Sequence, residues 1–207
     1  MKTSLNATPI SSYKGQQVYI GIDVHKRRYV VVVQINQTVV KKWSTAAVPE
    51  ELAQQLLRFF PEATLHSAYE AGFSGYVLHR VLKLHGIDNI VVHAAAVEVS
   101  AHSRVKTDKR DAQKLASQLE AGRLRGIRVP TPEQEQRRLL SRTRSQLVQQ
   151  RSAVQNQIRM KAHQFGLIAP EDRRQMSHKL VAELLERSPA EAFRFVVEVH
   201  WQVWEFK

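Results

Sequence analysis

At 207 residues and 43% hydrophobic side chains, the chain can bury a real core, which excludes wholesale disorder. It contains no cysteine, which excludes a disulfide framework and thiolate zinc sites and fits a reducing cytoplasm. Lys and Arg outnumber Asp and Glu by 31 to 19, a net charge of +12, and from His102 to Lys161 fifteen bases stand against five acids. Clustering of that kind points to nucleic acid.

Residues 1–17 read as a polar, flexible tail without the apolar segment of a signal peptide. VYIGIDV (18–24) and RYVVVVQI (28–35), separated by HKR, are β-branched and too short for helices, so they read as strands. TVVKKWST (38–45) is a third strand closing an antiparallel meander. Pro49 opens a helix that carries Leu52, Leu56, Leu57 and Phe60 on one side. TLHSAYE (64–70) is a fourth strand, GYVLHRVLKLHG (75–86) a helix closed by Gly86, and IDNIVVHA (87–94) a fifth strand. Thr107 caps a helix running to about Gly122. The order predicts an α/β domain over 18–125, a mixed five-stranded sheet with helices on both faces.

After RVPTPEQ the pattern changes. Residues 133–165 hold no Gly or Pro; Leu140, Leu147 and Val154 recur every seven, with Ile158 and Phe165 on the alternate position. A break at GLIAPED precedes a helix from about Ser177, and Ser188-Pro189 interrupts it before AEAFRFVVEVHWQVWEFK resumes. Residues 126–207 therefore read as a basic helical hairpin or coiled-coil arm. No acid lies between Glu135 and Glu171, so Arg137, Arg138, Arg142, Arg144 and Arg151 are the expected phosphate contacts. The close on Trp201, Val203, Trp204 and Phe206 suggests truncation, or a helix that needs a partner. No stretch approaches the roughly 18 apolar residues of a membrane span.

Four carboxylates carry the candidate chemistry. Asp23 ends the first strand, where burial is costly unless something binds it; a turn-capping Asp is the alternative. Glu70 ends the fourth strand, where a plain surface Glu is the alternative. Asp108 and Asp111 stand i,i+3 at a helix start among Arg104, Lys106, Lys109, Arg110 and Lys114. The helix macrodipole favours acids there, yet these two continue the apolar stripe of Leu115 and Leu119. Strand order places strand four beside strand one, and the last helix over the same sheet brings its acids to Asp23 and Glu70. Carboxylates so gathered need neutralising cations, and an all-oxygen donor set suits Mg²⁺ or Mn²⁺, the metals of phosphodiester chemistry. His93 and His102 lack a spaced partner and read as loop or core residues; Tyr13, Trp43 and the last tryptophans read as packing.

YIGIDVHK, YEAGFSGYVLHRVL and RVKTDKRDAQKLA closely resemble the DEDD-type transposases of bacterial insertion sequences, over about residues 18–165. The resemblance implies an RNase H-like (RuvC-like) domain with Asp23, Glu70, Asp108 and Asp111 as the metal ligands. It further implies DNA strand cleavage and rejoining guided by a structured RNA, and a coiled-coil segment that assembles a homo-oligomer. A bacterial cytoplasmic, nucleoid-associated location follows. That family also carries a C-terminal domain with a nucleophilic serine, which no serine here matches, neither Ser103 nor Ser141. A binding-only fragment and a RuvC-like Holliday-junction nuclease are the competing readings. An actin-like ATPase is disfavoured because His25 and Lys26 stand where its phosphate loop needs small residues.

Overall fold

The computed structural model describes residues 13–93, 108–188 and 190–206, with the backbone alone at 108, 109 and 206. The chain divides into two compact units, Met1–Val129 and Pro130–Lys207.

In the first unit, β1 (Gln17–Val24), β2 (Arg28–Ile35) and β3 (Thr38–Ala46) form an antiparallel meander. They are followed by α1 (Pro49–Phe59), β4 (Thr64–Glu70), α2 (Val77–Leu84), β5 (Asp88–Val92) and α3 (Asp108–Glu120). The sheet order is β3-β2-β1-β4-β5, with β4 parallel to both β1 and β5. This is the RNase H-like arrangement, a mixed five-stranded sheet covered on both faces. One face packs Ile20, Ile22, Val31 and Val33 against Leu52 and Leu56 of α1 and Leu78 and Leu82 of α2. On the other face Ala112 of α3 meets Val30 and Val32, and Leu115 meets Val92. Because β2 is covered on both sides, seven of its eight residues are buried, and its valine run has no polar alternation. Leu57, expected on the apolar side of α1, is instead 42% exposed. Ala53 takes its place, because Leu52, Ala53 and Leu56 already span the narrow stripe that the sheet can cover. The chain is packed from Tyr13 onward, whose ring meets Phe60 edge-on at 5.0 Å.

Two devices seat α3. At Gly21 an added Cβ would lie 1.8 Å from the Ala112 carbonyl oxygen and 2.7 Å from Ala116 N, so helix and strand backbones touch directly. At the helix's other end, Glu120 binds the β2–β3 turn. Gln34 Nε2 donates to Glu120 Oε2 at 2.6 Å and the Gln37 N–H donates to Oε1 at 2.8 Å. That turn is built by Asn36 and Gln37 in the left-handed region, at φ 47° and 60°. Beyond α3 the Ile127 N–H donates to the Val91 carbonyl at 2.7 Å and Gly126 bridges Val92, so the returning chain covers the edge of β5.

The second unit holds α4 (Pro132–Gln164), α5 (His178–Arg187) and α6 (Glu191–Phe206). Thr131 and Gln134 close a reciprocal capping box around Pro132, which starts α4 where the sequence turns helical. Its core joins Val154, Ile158 and Ala162 of α4 to Leu180, Val181 and Leu184 of α5 and Phe193, Val197 and Trp201 of α6. The heptad pattern is thus buried only in its second half. Leu140 is 72% and Leu147 42% exposed, since α5 and α6 cover only the last turns of α4. Phe165, also expected in the seam, is half exposed and meets the Phe193 ring at 5.0 Å. Trp201 is buried, and Trp204 stacks on it at 4.4 Å, so the aromatic end serves packing within the unit. Among the described residues no helix is long and apolar enough to cross a membrane.

The loop between α4 and α5 is held by charge. Arg159 donates to the carbonyls of Asp172 and Arg174, at 3.0 and 2.6 Å. Arg174 in turn grips the Asp172 carboxylate and reaches Glu183 at 2.8 Å. Hydrogen bonds from Arg174 lower the Asp172 pKa to about 2, and the same guanidinium lowers that of Glu183. The Asp172 value lies below its ordinary one, so its contribution is present above about pH 4 and disappears as pH falls toward 2, and that of Glu183 is likewise lost on acidification. Thermal melts followed by far-UV circular dichroism at about pH 5 and about pH 2.5 should show a slightly smaller acid-induced drop for Arg174→Ala than for the parent, the modest difference expected of an exposed ion-pair cluster.

Candidate metal and nucleic-acid site

Because β1 and β4 run parallel with Ile22 beside Tyr69, one step further along puts Asp23 and Glu70 side by side at the carboxyl ends of the two central strands. Side chains alternate along a strand, so Asp23 shares a face with Gly21 and Glu70 with Ala68. That is the face α3 covers, fixed by the close approach at Gly21. Asp23 is 24% exposed, and its Oδ2 lies 3.0 Å from His25 Nε2, an ion pair when the imidazole is protonated. Beside Glu70, Tyr69 is fully buried, and burial pushes its phenol well above the usual tyrosine range. Its hydroxyl donates to the Gly75 carbonyl at 3.2 Å and ties down the loop that follows Glu70.

α3 carries the other two acids. Asp108 is its first residue, one turn ahead of Ala112, and Asp111 is half-buried one turn ahead of the buried Leu115. Leu119 is half-buried, so the apolar stripe expected behind these acids is present but loosens toward the helix end. Arg110 is exposed and Lys114 half-buried. The side chains of Asp108 and Lys109, and all of His102, Ser103, Arg104, Lys106 and the Thr107 cap, lie outside the described residues. Among the described residues no three His, Asp or Glu side chains gather closely enough to hold a metal ion. Asp23 and Glu70 at the strand ends carry carboxylate oxygens, the kind that hard divalent cations take.

In the second unit Arg137, Arg138, Arg142, Arg144 and Arg151 are all exposed along α4. Arg151 also lies over the Trp204 ring, 5.8 Å from its centroid, so it contributes to packing as well as charge. A shallow apolar groove runs among them, lined by Leu139, Leu140, Leu147 and Val148. The residue that sequence reasoning passed over is His25. Its signal was available, because it stands two positions after Asp23, where the strand ends and the chain turns back.

The model of the DEDD transposases of IS110 type, described as "Transposase", matches residues 20–165, more than two thirds of the chain. The chain belongs to this transposase family. Among curated relatives, "Putative transposase y4qE" of Sinorhizobium fredii is 30% identical over 162 residues, which is 75% of this chain and 41% of that protein. "Putative transposase y4rJ" of the same organism is 40% identical over 110 residues, 49% of this chain and 27% of its own length. The "Transposase for insertion sequence element IS1533" of Leptospira borgpetersenii is 33% identical over 122 residues, 53% of this chain and 32% of its own. The transposase chain described here therefore spans less than half the length of these relatives. Two Thermus thermophilus RuvC structures, one in complex with a Holliday junction substrate, align at TM-scores of 0.36 and 0.38 with 10% and 9% identity. They cover 54% and 53% of this chain and 99% of each RuvC chain.

Proposed function

We propose that the first unit is the metal-dependent part of an insertion-sequence transposase that cleaves and rejoins DNA strands. The observation that carries this reading is the register of β1 and β4, which sets Asp23 and Glu70 together on the face roofed by α3. Asp23, Glu70, Asp108 and Asp111 would hold Mg²⁺ or Mn²⁺, and their all-carboxylate character fits these metals. When bound, such ions polarise a phosphodiester and stabilise charge on the oxygens that are exchanged. The chain's own part is positional: two strand ends and one helix start fix where the phosphate must sit, and His25 steadies the Asp23 carboxylate.

The second unit supports nucleic-acid binding in its own right. Its exposed arginines lie on a helix with no acid from residue 136 to 164. DNA is the proposed partner, with a structured guide RNA as the second nucleic acid that the family resemblance adds. The exposed Leu139, Leu140, Leu147 and Val148 offer a second copy of the chain an apolar seam.

The deciding experiment is strand nicking of branched and nicked-duplex DNA by the purified chain, with Mg²⁺ and with EDTA. Metal-dependent nicking restored by Mn²⁺ is the expected result. DNA binding at full strength with no nicking under any metal would leave this chain as the binding fragment of a longer enzyme and sink the catalytic reading.

A further inference from the structure

We propose that the β1–β2 turn, through Lys26 and Arg27, is a phosphate-binding element that grips the nucleic-acid backbone beside Asp23 and Glu70. The proposal rests on the function proposed above and extends it to residues outside both the helical arm and the α3 cluster. Lys26 and Arg27 follow Asp23 by three and four residues, so their backbone lies within roughly 15 Å of it. That is about the reach of a few nucleotides along one strand.

Three observations single out this turn. First, it is strongly and purely basic: His25, Lys26, Arg27 and Arg28 are consecutive, and no acid occurs between Asp23 and Glu50. Lys26, Arg27 and Arg28 are exposed, while Tyr29 and Val30 immediately beyond are buried. Second, its backbone is held on two sides. The His25 N–H donates to the Arg28 carbonyl at 3.0 Å, and the Ala47 N–H donates to the Arg27 carbonyl at 3.2 Å. A tethered turn leaves little backbone ordering to lose on binding, so the ordering cost is confined to the two side chains. Third, the sheet's other hairpin turn shows what a turn here looks like without such a task. It uses Asn36 and Gln37, uncharged and left-handed, at the opposite end of the sheet. The first turn instead gives its central positions to long cations, at the end where Asp23 and Glu70 stand.

Acids and bases then divide the work at this sheet end. Carboxylates alone would repel a polyanion, and the turn supplies positive charge on the β2 side, across β1 from Glu70. Lys26 contributes a mobile point charge and Arg27 a planar fork that can take two phosphate oxygens at once. Arg28 belongs to the β2–β3 ladder, paired with Ala46, and is left unaltered in the test.

The test measures the affinity of the full chain for fluorescent branched DNA by anisotropy, from 50 to 200 mM salt, without added metal. Each lost phosphate contact lowers the slope of log affinity against log salt by about 0.7 to 0.9. For Lys26→Gln/Arg27→Gln, the fourfold rise in salt should therefore weaken binding about tenfold less than it does for the unaltered chain. The charge-preserving pair Lys26→Arg/Arg27→Lys should keep the original slope, and thermal melts of both should match the parent, since both positions are exposed. Arg137→Gln/Arg138→Gln serves as the parallel variant in the arm. A lowered slope for the arm variant with an unchanged slope for the turn variant would overturn this proposal and leave the proposed function standing. A flat salt dependence for the unaltered chain would overturn both.

Discussion

Asp23→Asn is expected to lower metal-dependent nicking by at least about a hundredfold while leaving the melting temperature within a few degrees of the parent. The amide keeps the shape of the carboxylate but loses its charge and one metal-binding oxygen, and both matter more at a strand end than on an open surface. Asp23 stands at the carboxyl end of a central strand, only 24% exposed, with Glu70 beside it in register. Such a pair of carboxylates is poorly placed for folding alone, so neutralising one should not destabilise the sheet. His25→Ala should have a smaller effect, about tenfold, because the imidazole acts on the Asp23 oxygen and not on the substrate. Nicking rates at saturating Mg²⁺, measured beside thermal melts, separate these outcomes. Equal rates for Asp23→Asn and the parent would remove Asp23 from the chemistry.

Gly21→Ala should be the most damaging single methyl group in the first unit, costing about 3 kcal/mol and lowering its melting temperature by about 10 °C. The new Cβ would fall 1.8 Å from the Ala112 carbonyl oxygen and 2.9 Å from its carbon. Both are backbone atoms in the middle of a helix, so neither can rotate aside. Relief would require α3 to lift from the sheet, breaking the packing of Ala112 on Val30 and Val32 and of Leu115 on Val92. At the far end, Glu120 would still hold the helix to the β2–β3 turn, so the displacement should be greatest toward Asp108 and Asp111. Calorimetry reports the stability change. A melting temperature within two degrees of the parent would mean the helix can slide without cost, contrary to the geometry.

Much of this organisation is legible in the sequence, and the reasons differ by element. β2 is readable to the residue because its β-branched run is bounded by Arg28 and by the polar Asn36-Gln37 turn. α4 and α5 start where Thr131-Pro132 and Ser177 announce caps, which are local chemistry and need no tertiary knowledge. The placing of Asp23 beside Glu70 also follows from strand order, once the crossover sets β4 on the free edge of β1 and not on that of β3. What the sequence hides is depth of coverage. Leu140, Leu147 and Val154 are equivalent by heptad position, and only the short reach of α5 and α6 decides that Val154 is buried and the other two are not. Leu57 fails for the same reason on α1. Gly21 is silent too, because a glycine inside IGID looks like a weak strand residue until a helix backbone is found lying on it.

The length of α4 has a consequence for whatever binds it. From residue 132 to 153 the helix runs about 33 Å without a buried residue, fastened at one end by its capping box and at the other by the helical core. Isolated helices shorter than about 12–15 residues are marginal in water, whereas α4 is 33 residues long and held at both ends, which limits fraying. A partner lying along it meets a ruler whose arginine spacing is already set, and the strength of the contact becomes a matter of matching intervals rather than of folding a loose chain.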